Sequence, residues 1–137
     1  MGYTHYWKTK EPITRIQWDE LTAVVKNAVR RSNTTVVYEY MLPNYLPLIT
    51  PYEIQFNGPG DQGHETFLLQ KAFKRNEFAF CKTARKPYDV VVTAVLCLAH
   101  TIAPDTWEIT SDGDAEDWEE GLALAKQVLE NAESPIG

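Results

Sequence analysis

Phe78-Ala-Phe-Cys-Lys-Thr-Ala-Arg-Lys-Pro-Tyr-Asp89 carries the chain from one kind of order into another. Phe78 to Lys82 reads as a strand, aromatic and apolar. Pro87 opens a helix, at a position where its missing N–H would have no partner anyway. From Tyr88 to Ile102 the sequence is then almost wholly apolar. A helix apolar on every side is buried on more than one face, so this one belongs at the centre of the fold. Three cations, Lys82, Arg85 and Lys86, crowd the junction. A helix N-terminus already carries partial positive charge, so cations there call for something negative. The candidates are carboxylates from elsewhere in the fold or a bound anion.

Downstream, Pro104 and Asp105 stop the helix and Thr106 to Ser111 reads as a sixth strand. A crossover through the central helix would set it parallel to Phe78–Lys82. Asp112-Gly-Asp114 turns into a third helix, with Asp114 as its N-cap and Trp118, Leu122, Ala125 and Leu129 as its buried stripe. Upstream, Glu65 to Gln70 is a fourth strand, and the polar link Lys71–Glu77 is short enough to make it a hairpin with Phe78–Lys82. Asn57-Gly-Pro-Gly-Asp-Gln-Gly63 is a glycine-rich loop that matches neither a Walker loop nor a dinucleotide fingerprint.

Nearer the N-terminus, Gly2 to Trp7 is a first strand. Thr14-Arg-Ile-Gln17 has the form of a capping box. The helix after it sets Trp18, Leu21, Val25 and Ala28 on one face and closes on Arg30, Arg31 and Ser32. Thr34 to Met41, including Tyr40, is a β-branched and aromatic second strand. Leu42 to Thr50, with Pro43 and Pro47, is a loop or arm, and Pro51 to Asn57 a third strand. The sum is a single α+β domain over residues 1–137: a mainly antiparallel sheet of about five or six strands with three helices, one of them buried.

A length of 137 residues suits one domain with a real core. The net charge of −6 argues against broad, sequence-independent nucleic-acid binding and against an acidic membrane as partner, while leaving room for a local basic patch. Cys81 and Cys97 fall in a strand and a helix and read as reduced core thiols. Met1 to Trp7 lacks the cationic and apolar regions of a signal peptide, and no apolar run is long enough to span a bilayer. These features predict a cytoplasmic protein without a membrane anchor.

The two strand pairings would bring the polar signals together. A hairpin of strands four and five puts His64 and the glycine loop beside Lys82, Thr83, Arg85 and Lys86. A sixth strand parallel to the fifth adds Ser111, Asp112 and Asp114 at the same edge, where open sheets bind ligands. Arg85 offers a planar fork for phosphate or carboxylate, and Lys82 and Lys86 offer point charges. Structurally, Arg85 could instead pair with Asp112 or Asp89 as a lock. Tyr3, Tyr6, Trp7 and Tyr88 either stack on a base or fill the core, and His5 either lines the pocket or packs. His64 with Glu65 has acid–base chemistry, but Thr83 and Ser111 are nucleophile candidates by location only. Asp112 and Asp114 lack the full spacing of a calcium loop.

Gly2-Tyr-Thr-His-Tyr-Trp7, Phe56-Asn-Gly58, His64-Glu-Thr-Phe67, Phe80-Cys-Lys-Thr-Ala-Arg-Lys-Pro-Tyr-Asp89 and Ser111-Asp-Gly-Asp114 together resemble a family of small bacterial and phage proteins. No established activity comes with that family, so no residue's role is carried over. Ser32 to Pro51 carries none of its motifs. A phage setting implies, by analogy, an anti-defence protein that sequesters an immune signalling nucleotide.

The leading expectation is a non-catalytic pocket for a small anionic, nucleotide-like ligand, with no cofactor. Lys82, Arg85 and Lys86 would meet phosphate, His64 and Asp112 hydroxyls or base edges, and Tyr3 or Tyr88 the base. His5, Thr83 and Ser111 complete the set. One alternative is a metal-assisted hydrolase using His64, Asp112 and Asp114. Another is a protein-binding inhibitor or structural factor whose arm, with Tyr45, meets a partner chain or a second copy in a homo-oligomer.

Overall fold

Thr4–Thr9 forms β1, and it lies in the middle of a sheet built from both ends of the chain. In the computed structural model of the protein, which describes residues 2–39, 41–42 and 44–137, β1 pairs antiparallel with β5 (Phe78–Lys82) on one side and β6 (Trp107–Ser111) on the other. Side chains alternate across the pleat. His5 and Trp7, Cys81, and Trp107 and Ile109 take the buried side, while Tyr6, Lys8, Phe78, Phe80, Glu108 and Thr110 take the other.

Three helices cover the inner face. The capping box of α1 (Arg15–Arg31) is complete: Gln17 N–H donates to Thr14 Oγ1, and Thr14 N–H to Gln17 Oε1. The helix buries the Trp18, Leu21, Val25 and Ala28 stripe. Every residue of α2 (Asp89–Ile102) from Val91 to Ala99 is buried, between α1 on one side and α3 (Glu119–Val128) on the other. Among the described residues the chain is thus α+β, with six strands and three α-helices. Both cysteines are free and buried. Among the described residues no helix is long and apolar enough to cross a membrane.

The strands divide into two sheets. The second contains β2 (Leu48–Ile49), β3 (Glu53–Phe56) and β4 (Phe67–Gln70), in that order and all antiparallel. The predicted hairpin of the fourth and fifth strands is therefore corrected: β4 pairs with β3, and β5 with β1. The link explains it. Asn76 adopts φ 63, its N–H donates to Thr9 O, and Thr9 N–H donates to Glu77 O. The link is thereby anchored on the end of β1 and delivers β5 to it. β6 does run parallel to β5, but with β1 between them.

Among the described residues of the predicted second strand, Thr34 to Glu39 and Met41, no strand forms. Val37 makes one isolated bridge to Asn57, after which the chain turns on itself through Leu42 N–H to Glu39 O, Tyr45 N–H to Leu42 O and Tyr38 N–H to Tyr45 O. The extended pairing falls instead on Leu48–Ile49, inside the predicted loop. The expectations for Tyr40 and Pro43 fall outside the described residues. Asp114 caps a turn ahead of α3 rather than the helix itself, by accepting from Asp117 N–H while Asp117 Oδ2 accepts from Asp114 N–H. Gly121 and Leu124 share the buried face of α3 with Ala125, and Leu122 and Leu129 are only partly buried.

Candidate functional site

The turn from β5 into α2 is strained. Ala84 at φ 52 and Arg85 at φ 57 both sit in the left-handed region, a conformation that costs a non-glycine residue about 1–2 kcal/mol. It persists because the backbone is held on both sides: Thr83 and Ala84 N–H donate to Tyr3 O, and Lys86 N–H donates to Thr83 O. The result is a fixed position for Arg85. Its guanidinium carbon lies 4.0 Å from the centre of the Tyr3 ring, and Nη1 donates to Asp117 Oδ1 at 3.0 Å. Backbone donation from Asp114 and then the Arg85 hydrogen bond hold the Asp117 carboxyl below its usual range. The same contact with Asp117 raises Arg85.

Behind this turn lies a chain of side-chain hydrogen bonds. The register of β1 on β6 sets His5 opposite Ser111. His5 Nδ1 is 2.8 Å from Ser111 Oγ, and His5 Nε2 is 2.7 Å from Asp89 Oδ1, which also accepts from Thr83 Oγ1 at 2.6 Å. Serine, histidine and aspartate in a row resemble a hydrolase triad, but the hydrogen-bond count closes it. Ser111 Oγ already accepts from Gly113 N–H at 2.9 Å and Trp118 Nε1–H at 3.2 Å. Both lone pairs are taken, so its own O–H is directed to His5 Nδ1. His5 is 0% exposed. A serine with no free lone pair beside a sealed histidine ties β1, β6 and the start of α2 together; it does not present a nucleophile.

Tyr3 is 5% exposed, and its hydroxyl is the one buried side-chain polar atom among the described residues without a hydrogen-bond partner. It rests against Gly113, where a Cβ would come within 2.2 Å of it. Burial, followed by the charges of Asp89 and Asp117, pushes this phenol up to about 12, against smaller lowering contributions from the Arg85 charge and the neighbouring Ser111 hydroxyl. Tyr3 and Arg85 together form a partition between two clefts. The larger, about 500 Å³, is lined by Tyr3, Arg85, Lys86, Asp89, Glu116 and Glu120, among others. The smaller, about 450 Å³, is lined by Gly2, Tyr3, Ala84, Arg85 and Asp112.

No protein-family model, curated protein or solved structure matches the chain. The site therefore rests on its own geometry. Of the residues singled out from the sequence, Tyr3, Arg85 and Lys86 come together at the larger cleft, and Asp112 joins Tyr3 and Arg85 at the smaller. Asp112 is also tied down, accepting from Thr4 N–H and from Tyr6 Oη–H. His5, Thr83 and Ser111 stand behind the cleft wall as its support.

Three residues do not converge. Tyr88 is fully buried, and its hydroxyl donates to Glu65 O, so it presents no face to a ligand. Lys82 packs beside Gly2, outside the larger cleft. His64 sits on the glycine loop in a separate hollow with Gly60, Gly63 and Glu65. That loop is organised from within: buried Asn57 accepts from the N–H groups of Gly58 and His64 and donates to His64 O and Thr66 Oγ1. The partner of Arg85 is Asp117, not Asp112 or Asp89. Asp117, Glu116 and Glu120 escaped sequence reading because acids ahead of a helix look like ordinary dipole partners. Among the described residues no group of three histidines, cysteines or carboxylates is disposed to hold a metal ion.

Proposed function

We propose that the chain captures a small nucleotide-like ligand with a single anionic group in the cleft beside Tyr3 and Arg85, and does not turn it over. The observation that carries this reading is the fixed, half-engaged Arg85 guanidinium, stacked over the Tyr3 ring at the cleft wall. Arg85 spends Nη1 on Asp117 and keeps its other donors for an anion. Lys86 lines the same wall and makes no ion pair among the described residues.

The lining also limits the ligand. Asp89, Glu116, Asp117 and Glu120 outnumber Arg85 and Lys86. Such a surface disfavours polyphosphate. It suits one phosphate at the cations with hydroxyl and amino donors directed to the carboxylates, as ribose hydroxyls meet acids in other nucleotide sites. The closed Ser111–His5–Asp89 row favours capture over hydrolysis. The resemblance to phage proteins makes cyclic and mononucleotide immune signals the first ligands to try.

The test is a thermal shift of the purified protein against mononucleotides, cyclic nucleotides and nucleoside triphosphates, with mass spectrometry of the recovered ligand. A bound compound at a hundredfold excess over its Kd should add about 2.7 kcal/mol of stability. Arg85→Ala should abolish the shift, Lys82→Ala should leave it, and the ligand should return unchanged. Absence of a shift with every compound, or recovery of a converted product, overturns the reading.

A second reading draws on a different surface. Tyr38, Leu42, Tyr45, Leu46 and Leu48 line an apolar hollow of about 420 Å³. Leu46 is 84% exposed, and an apolar patch of this kind suits a protein partner.

A further inference from the structure

Among the described residues no helix or strand packs on the outer face of the β5–β1–β6 sheet. Register fixes its layout. Phe78, Phe80 and Lys82 lie along β5, with Lys8, Tyr6 and Thr4 opposite them on β1; Glu108 and Thr110 lie along β6, with Asp112 just beyond its end. Phe78 is 59% exposed and Phe80 54%. Their ring centres are 6.2 Å apart, and Tyr6 stacks on Phe78 at 5.8 Å with an interplanar angle of 26°. Phe73, in the link before β5, is also exposed and carries Arg75 over its ring at 5.5 Å. Stacking among these rings steadies the sheet only modestly, while the same strands already bury Trp7 and Cys81 on the inner side, and more than half of each phenylalanine of β5 is left in water.

Charge on this face departs from that of the chain. The molecule carries −6, yet Lys8, Lys10, Lys74, Arg75 and Lys82 gather on the β5 side of the sheet and in the loops at its edge. The acids facing them, Glu11 and Glu77, make only long, exposed contacts of 3.7 Å to Arg75 and 3.9 Å to Lys74. Exposed pairs of that kind hold their cations weakly, so phosphate can displace them. The acids of the sheet itself lie on the β6 side, where Glu108 is cross-strand from Lys8 and Asp112 accepts from Tyr6 Oη–H.

We propose that this face binds a short run of single-stranded nucleic acid, with bases stacked on Phe80, Phe78 and Tyr6 and the backbone along Lys8, Lys82 and the Lys74–Arg75 loop. Every base has a π face, so stacking on aromatic side chains is sequence-tolerant, and a bordering line of cations follows the phosphates. A duplex keeps its bases paired and offers no such faces. The site is separate from the Tyr3–Arg85 cleft and does not depend on it. Only a few phosphates are engaged, which reconciles a local nucleic-acid site with an acidic chain.

The experiment is fluorescence anisotropy of labelled oligo-dT and oligo-U, with a DNA hairpin duplex as control, across a salt series. Single strands should bind and the duplex should not. Phe78→Ala and Phe80→Ala should each weaken binding at least fivefold while lowering the melting temperature only slightly, since each loses one exposed stacking contact. Lys82→Ala should flatten the slope of log K against log salt by about 0.7, and Arg85→Ala should change nothing. Equal affinity for duplex and single strand overturns the proposal. So does a concentration-dependent dimer in sedimentation that Phe80→Ala dissolves while no oligonucleotide binds, because the face is then an interface between copies of the chain.

Discussion

Replacing Ser111 by alanine would remove three hydrogen bonds at once. Gly113 N–H and Trp118 Nε1–H lose their acceptor, and His5 Nδ1 loses its donor. His5 is sealed from water, so its ring nitrogen would be left buried and unsatisfied, at a cost of about 2–3 kcal/mol. Urea denaturation followed by circular dichroism should show that loss in Ser111→Ala. A true catalytic serine would behave in the opposite way, giving up activity with stability near wild type. The residues of this row were legible in sequence only as types. His5 in an aromatic strand could pack or line a pocket, and the number of donors already facing Ser111 decides between them. Arg85 was legible for a firmer reason: a cation at a helix N-terminus needs a negative partner wherever it comes from. Which carboxylate supplies it was not, because Asp117 reaches Arg85 across the fold from a turn that its own neighbourhood explains completely.

At the scale of elements, α2 and α3 approach each other closely at one point. A Cβ on Gly121 would fall 1.9 Å from Thr93 Oγ1 and 2.7 Å from Thr93 Cβ. Gly121→Ala should push the two helices apart at a cost of about 1–3 kcal/mol, read as a lower urea midpoint. Thr93→Ala in the same chain should recover only part of it, since it removes the hydroxyl but keeps the Cβ at 2.7 Å, with Ala94 N at 3.0 Å beside it. Gly121 and Thr93 both face the larger cleft, so the double variant also changes its wall. The helices themselves were the most legible elements. Their periodic stripes and the Thr14–Gln17 box are local signals, and local signals survive in a sequence. The division into two sheets is not local. Whether β4 joins β5 or β3 depends on where Thr9 holds Asn76 and Glu77, and no spacing within residues 65–82 records that contact.

The whole molecule has a stability limit in alkali. Burial raises the Cys81 and Cys97 thiols from 9.0 to about 12, and Tyr3 from 10.0 to about 12. Each group keeps its proton in the folded chain at a pH where the unfolded chain has released it. The folded state then binds more protons, so stability falls as pH rises. The contribution is intact below pH 9.0 and is lost progressively towards about 12. Melting temperatures measured over that range should decline steadily, and Cys81→Ala with Cys97→Ala should flatten the early part of the decline. A melting temperature constant up to the top of the range would contradict it. In the native protein at neutral pH neither thiol should react with an alkylating reagent.

The central position of β1 has a consequence for how the protein is made. Thr4–Thr9 leaves the ribosome early, and both of its partners, Phe78–Lys82 and Trp107–Ser111, come much later. Through most of synthesis this aromatic strand has nothing to pair with, and the fold closes only when β6 arrives. Contacts so distant along the chain slow folding, because the entropy of the long loops is lost before the pairing returns any energy. An unpaired strand bearing Tyr6 and Trp7 is also an opening for association between nascent chains. β1 is therefore translated before either of its partners and finds its place only after both have been made.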